Sequence, residues 1–171
     1  MENEIFIKKV SEIDKSTCKP VRAGIIPYTF HNNQLYIGMG IDSKYHEFTD
    51  FSGMINYHEE NCIQGAIREF KEETLSVFRD IKEDDIKNFY CIYDNKIMVI
   101  FVGFNVKKDL VSEKFKKVYK TAKKPENCGI IWFIPEIFHN LILNDNKMFK
   151  KIRDLLYRSK IYDHEVFKNL F

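Results

Sequence analysis

The sequence predicts an α/β fold of the α+β kind, a β-sheet covered by helices on its faces. Three observations carry this reading. Segments rich in β-formers recur from Arg22 to Ile134, segments with helical apolar spacing interleave with them, and 44% of the residues are hydrophobic, enough for a proper core. A chain of 171 residues has the size of one ordinary domain, so residues 1–171 are read as a single unit with no linker or internal repeat.

Residues 20–30 (PVRAGIIPYTF) form the first strong strand signal, His31-Asn32-Asn33 supplies turn chemistry, and QLYIGMG resumes an apolar alternation; together they predict a β-hairpin. Residues 60–74 have helical character. From Asn88 to Val106 two strands follow, with Asp94-Asn95 as their turn. The second, KIMVIFVGFNV, is apolar enough for a central strand buried on both faces. GIIWFI (129–134) is a further strand, ended by Pro135. Near the C-terminus, Met148, Ile152, Leu155 and Leu156 recur at helical spacing, and Asn144 or Asp145 is the expected N-cap.

Composition narrows the function classes. Lys+Arg 27 against Asp+Glu 25 leaves a net charge of +2, which argues against a surface that tracks nucleic acid throughout. The N-terminal MENEIFIKKV has no uninterrupted apolar run of the secretory kind. The longest apolar stretch, Ile97–Phe104, is far short of the roughly 20 residues that span a bilayer. No membrane association is expected. Cys18, Cys62, Cys91 and Cys128 form no C-x-x-C pair and read as small buried hydrophobes in a reducing, cytoplasmic setting.

The stretch that carries chemistry is FSGMINYHEENCIQGAIREFKEET, Phe51 to Thr74. On a helix, Ile63, Ala66, Ile67 and Phe70 make an apolar stripe facing a core, while Glu69, Glu72 and Glu73 share an arc of roughly 100° beside it. Gly65 projects on that side and is expected to leave open space; Gln64 and Lys71 point to solvent. Like charges at this spacing cost a helix a few tenths of a kcal/mol per pair. A hard divalent cation such as Mg²⁺ among the carboxylates would recover that cost, since it takes oxygen ligands and bridges them to substrate phosphates. Arg68 stands at i,i+4 to Glu72 and can hold it. Gly53 sits in an expected turn-like loop where backbone approaches a phosphate or metal closely. The plain alternative is a solvated helix face on which Arg68 and Lys71 balance the acids.

The spacing decides between them, because the segment resembles the Nudix box, G-x(5)-E-x(7)-R-E-U-x-E-E-x-G-U with U apolar. From Glu60, seven residues lead to Arg68-Glu69, then Phe70, Lys71 and Glu72-Glu73. Met54 stands at the box glycine, with Gly53 beside it, while Leu75 and Ser76 replace the closing Gly and apolar residue. These departures bear on loop conformation and substrate approach; the carboxylates are all present.

The resemblance implies an α/β/α sandwich around a mixed sheet and hydrolysis of a nucleoside diphosphate linked to another group. It implies Glu69, Glu72 and Glu73 as ligands of Mg²⁺ or Mn²⁺, Glu60 as support for the loop or an outer metal site, and the Gly53 carbonyl as a further ligand. Arg68 would orient the glutamates. A box glutamate serves as base, or Glu126 does, whose other reading is a solvated loop acid. Arg22 can meet a substrate phosphate or be a surface strand charge. The lysines from Lys114 to Lys124, interleaved with Phe115 and Tyr119, either guide RNA with the aromatics stacking bases or form a solvated loop. His58 reads as an exposed loop residue, and Tyr28, Phe48 and Trp132 as core aromatics more than base stackers. A small nucleotide derivative is the first substrate class and capped RNA the second. A nucleotide-binding module without turnover, motivated by Met54 and Leu75, is the third reading. Relatives of this kind often form homodimers.

Overall fold

In the computed structural model, which describes residues 3–171, one mixed eight-stranded sheet separates two helical layers. The strands are β1 (Phe6–Lys9), β2 (Arg22–His31), β3 (Gln34–Asp42), β4 (Phe48–Thr49), β5 (Phe51–Met54), β6 (Tyr90–Tyr93), β7 (Ile97–Gly103) and β8 (Asn127–Phe133). The helices are α1 (Cys62–Glu73), α2 (Glu83–Ile86), α3 (Lys108–Tyr119), α4 (Pro135–Asn144), α5 (Lys150–Arg158) and α6 (His164–Leu170). The sheet runs β1-β6-β7-β2-β3-β4, with β5 added on β2 and β8 on β3. Among the named strands of the described residues, only β2 and β7 pair in parallel, Arg22 opposite Ile97 through Tyr28 opposite Gly103.

Strand β7 shows why the sheet is covered twice. Met98, Ile100 and Val102 join the core under α1 and α3, while Ile97, Val99 and Phe101 join the core under α4, α5 and α6. Alternate residues of a strand face opposite sides, so a continuous apolar run requires a helix layer on each. The α/β/α arrangement around a mixed sheet is therefore as expected.

The β2–β3 hairpin turns at Asn32 and Asn33, with φ of 49° and 64°, the left-handed pair that a tight hairpin needs and that asparagine tolerates. Three expectations are corrected. Asp145 does not start a helix: its carboxylate accepts from the Lys147 amide at 3.0 Å, a local turn that competes with helix initiation. Asn144 closes α4, Met148 bridges to Phe48, and α5 begins only at Lys150. Lys114 to Tyr119 are the second half of helix α3 and not loop, because Val111 and Phe115 dock it onto the sheet; Phe115 is wholly buried and cannot stack a base. Gly65 borders no open space, since a Cβ there would meet Ile55 and the Glu60 carboxylate.

Tyr28 is buried, and Trp132 packs against the core while its ring N–H donates to Ser112 Oγ at 3.1 Å. All four cysteines are free thiols. No helix among the described residues is long and apolar enough to cross a membrane.

Candidate active site

Helix α1 carries most of the candidate residues, and local sequence fixes where it starts. Asn61 caps it, accepting from the Gln64 amide at 2.9 Å while the Gln64 side chain accepts from the Asn61 amide at 3.0 Å. Ile63, Ala66 and Phe70 bury the predicted stripe, leaving Gln64 and Lys71 exposed. The helix ends without glycine. Leu75 and Ser76 take φ of 54° and 58°, and the Ser76 amide returns to the Lys71 carbonyl at 2.9 Å. A left-handed leucine costs about 1–2 kcal/mol. The Leu75 side chain packing on the core offsets part of that, and the Thr74 hydroxyl closes on the Phe70 carbonyl at 2.6 Å.

Arg68 is the hub of the acidic face. It donates to Glu60 at 2.7 and 3.0 Å, to Glu69 at 2.9 Å, to Glu72 at 3.3 Å and to the Met54 carbonyl at 3.1 Å. Glu60 also accepts from the Asn56 amide at 3.1 Å, so it ties the loop before α1 to the helix. Arg68 holds the Glu60 carboxyl below the usual carboxylate range. Glu69 behaves in the opposite way: burial raises it in spite of Arg68, with the charges of Glu72 and Glu126 adding to the rise. Gly53 lies in strand β5 opposite Ala23 and not in a turn-like loop, because β5 extends the sheet up to Met54. Its missing side chain is required all the same: a Cβ there would occupy the position of the Glu69 carboxyl group.

Glu73 points the other way along the site. Its carboxyl accepts from the Asn127 side-chain amide at 2.9 Å and shares a cavity lining with Glu126, in the segment just before β8. Burial first, then Glu126, Glu69 and Asp50, push the Glu73 pKa up to about 9. Glu72 is mostly exposed at the helix edge. His58 lies in the loop before α1, its amide donating to Asn56.

Beside Glu73 and Glu126 opens a cavity of about 270 Å³, which Arg22, Tyr45, Asp50 and Phe149 also line. Arg22, at the start of β2, donates to Ser52 Oγ at 3.2 Å and lies over the Phe149 ring, 5.9 Å from its centre. Asp50 is 2% exposed, and burial lifts its pKa to about 6. Asp50, Asn127 and Phe149 escaped the reading of the sequence. Asp50 had a signal, a lone acid in the small and apolar run T-D-F-S-G before α1; Asn127 and Phe149 had none, being brought in by β8 and by the loop before α5.

Among the described residues no three acidic, histidine or cysteine side chains already stand at metal-binding separation. Arg68 draws Glu60, Glu69 and Glu72 towards itself, whereas Glu73 turns to Glu126 and Asn127. The donor chemistry nevertheless fits a hard cation. Every donor is a carboxylate or backbone oxygen, and Glu73 is short of positive charge, as its raised pKa records.

No family model matches the chain, and no curated protein matches it. Among solved structures, an Ap4A hydrolase from C. elegans in a binary complex is 15% identical, over 82% of this chain and 95% of that one, with a TM-score of 0.47. The NUDIX domain of Shewanella oneidensis NrtR, complexed with ADP ribose, is 12% identical over 87% and 94%, with a TM-score of 0.46. A mutT/nudix family protein from Listeria innocua is 13% identical over 86% and 94%, with a TM-score of 0.44. Likeness at this level assigns neither substrate nor activity.

Proposed function

We propose that the chain is a Nudix-type pyrophosphohydrolase, dependent on Mg²⁺ or Mn²⁺, that cleaves the diphosphate of a nucleoside diphosphate derivative by attack of water on phosphorus. The substrate class is a nucleotide, a dinucleoside polyphosphate or a nucleotide sugar. One observation carries the reading: Arg68 gathers Glu60, Glu69 and Glu72, the Glu69 carboxyl lies against Gly53, and Glu73 lines a cavity large enough for part of such a molecule.

Glu69, Glu72 and Glu73 would hold the cation, with the Gly53 carbonyl and Glu60 in support. The ion supplies charge that polarises phosphate oxygens and acidifies water. Arg68 is a positioning residue; its fan of donors sets the carboxylates of Glu60, Glu69 and Glu72. Glu126, which lines the cavity together with Glu73, takes the proton of the attacking water. Arg22 contacts the substrate from the cavity wall.

The test is incubation with Mg²⁺ or Mn²⁺ and a panel of nucleoside triphosphates, dinucleoside polyphosphates, nucleotide sugars, dinucleotides and capped RNA, alongside Glu73→Gln. Metal-dependent release of a phosphate-bearing nucleotide, lost in the variant, supports the proposal. Cleavage confined to capped RNA moves the substrate to the second class. Binding of panel members without turnover makes the protein a nucleotide-binding module.

A further inference from the structure

Two segments distant in the chain are stitched together around a pair of thiols. On one side the Glu83 carboxylate takes the Lys15 ammonium at 2.5 Å and the Asn61 side-chain amide at 2.7 Å. On the other, the Tyr57 hydroxyl donates to the Pro20 carbonyl and the Ile55 amide to the Val21 carbonyl at 3.1 Å. Lys19 adds a contact there, its ammonium 5.8 Å from the centre of the Tyr57 ring. Cys18 and Cys62 fall between these clasps, and both side chains join the core on the α1 side of the sheet.

The two thiols differ in access. Cys62, the first residue of α1, is wholly buried. Cys18 is half-buried and lines a cavity of about 260 Å³ with Phe6, Thr17, Lys19 and Tyr93. That cavity shares no residue with the one beside Glu73. The Cys62 thiol beside it holds the Cys18 thiol below the usual thiol range; Lys8 adds to the fall, while burial and Asp14 oppose it. An accessible thiol that ionises readily, backed by a second thiol, is the arrangement that oxidation selects. The other two cysteines are placed differently. Cys91 is wholly buried and its Sγ donates to the Lys8 carbonyl at 3.3 Å, while Cys128 is half-buried on β8.

We infer that Cys18 and Cys62 form a modification site for hydroperoxides, in which Cys18 is oxidised first and Cys62 resolves it as a disulfide. The Cys18 thiolate attacks one peroxide oxygen, the O–O bond breaks, and the departing hydroxide takes a proton from solvent. The Cys62 sulfur then attacks the sulfur of the Cys18 sulfenic acid. The S–O bond breaks, and hydroxide leaves with the Cys62 proton as water. Two thiols thus give up two electrons, and one hydrogen peroxide becomes two waters. The bond ties the segment leading into β2 to the first turn of α1, the helix that carries Glu69, Glu72 and Glu73.

Fully reduced, metal-free protein is treated at pH 7 with a stoichiometric dose of hydrogen peroxide, alkylated, and mapped by mass spectrometry. The expected product is a Cys18–Cys62 cross-linked peptide, two hydrogen atoms lighter than the reduced pair and reversed by dithiothreitol. Cys91 and Cys128 are recovered as thiols, and Cys18 is consumed about tenfold or more faster than Cys128, the other half-buried cysteine. In Cys62→Ala, whose fold thermal unfolding checks, Cys18 stops at the sulfenic acid and is trapped by dimedone. In Cys18→Ser, Cys62 stays reduced at the same dose. A bond from Cys18 to Cys91 or Cys128, oxidation of Cys128 as fast as Cys18, or no cross-link in the parent protein overturns the assignment. Those three readouts need the parent chain alone, so they decide the matter even where a variant fails to fold. No substrate or metal enters the experiment, and its outcome is independent of the hydrolase reading.

Discussion

Replacing Glu73 by glutamine removes a single ionisable proton from the site and little else. Glu73 is held protonated in the fold because burial and the neighbouring acids lift its pKa from 4.5 to about 9. An unfolded chain releases that proton near pH 4.5, so between the two values the folded state binds more protons than the unfolded one. Stability must then fall as pH rises through this window, and the loss is complete only above about 9. At about 1.4 kcal/mol per pH unit, and with solvent screening leaving less than half of the displacement effective, the decline is about 3 kcal/mol. For a chain of this length that is roughly 6–12 °C in Tm. Glutamine resembles the neutral acid and keeps an oxygen for Asn127. Glu73→Gln should therefore match the parent near pH 5 and exceed it by several degrees near pH 9, in thermal unfolding followed by circular dichroism with a chelator present. Saturating Mg²⁺ should raise the parent's Tm at pH 8 by a few degrees and the variant's by far less, since ligand at 100 times Kd is worth about 2.7 kcal/mol. Parallel pH profiles for the two proteins, or a variant that is destabilised already at pH 5, would refute the picture of a neutral, cation-seeking Glu73.

Other perturbations reach separate parts of the account. Gly53→Ala drives a Cβ into the Glu69 carboxyl group, so turnover should drop about a hundredfold, the scale of a misplaced catalytic group, in a protein that still folds. Arg158→Ala strips the 2.7 Å ion pair from buried Asp94 and should cost about 1–3 kcal/mol in urea unfolding at pH 7. Burial works to raise Asp94, but Arg158 and the amides of Lys96 and Ile97 outweigh it and hold the pKa low. That stability is present above the ordinary carboxylate range and is lost as pH falls through the depressed value, so the variant's acid unfolding curve should be shallower. Reversing the exposed Lys116, Lys117 and Lys120 to glutamate should weaken turnover of capped RNA and its salt dependence, leaving small nucleotides untouched, in a comparison at 50 and 200 mM salt.

The parts legible in the sequence are those where one local period or one spacing decides. The Asn32-Asn33 turn, the doubly buried β7 and the apolar stripe of α1 follow from local chemistry, and the hub role of Arg68 follows from its i,i+4 relation to Glu72 together with the box spacing. What escaped depends on contacts between distant segments. Whether Lys114–Tyr119 is helix or loop is decided by Phe115 docking on the sheet, while the lysines around it mask the period. Asp145 reads as an N-cap until its carboxylate is seen closing a turn on Lys147. The cavity gathers Arg22, Asp50, Glu126 and Phe149 from four separate stretches, and no spacing links them. Gly53 needs to be glycine for a reason the sequence conceals, the carboxylate of a residue sixteen positions later.

Hydrolysis of the best panel substrate in ¹⁸O-water, with products analysed by mass spectrometry, tests the central claim most directly. The account predicts one ¹⁸O in a phosphate-bearing product, formed only with Mg²⁺ or Mn²⁺ and abolished in Glu73→Gln. Product without the label in any phosphate, or equal turnover with the metal chelated, would contradict it.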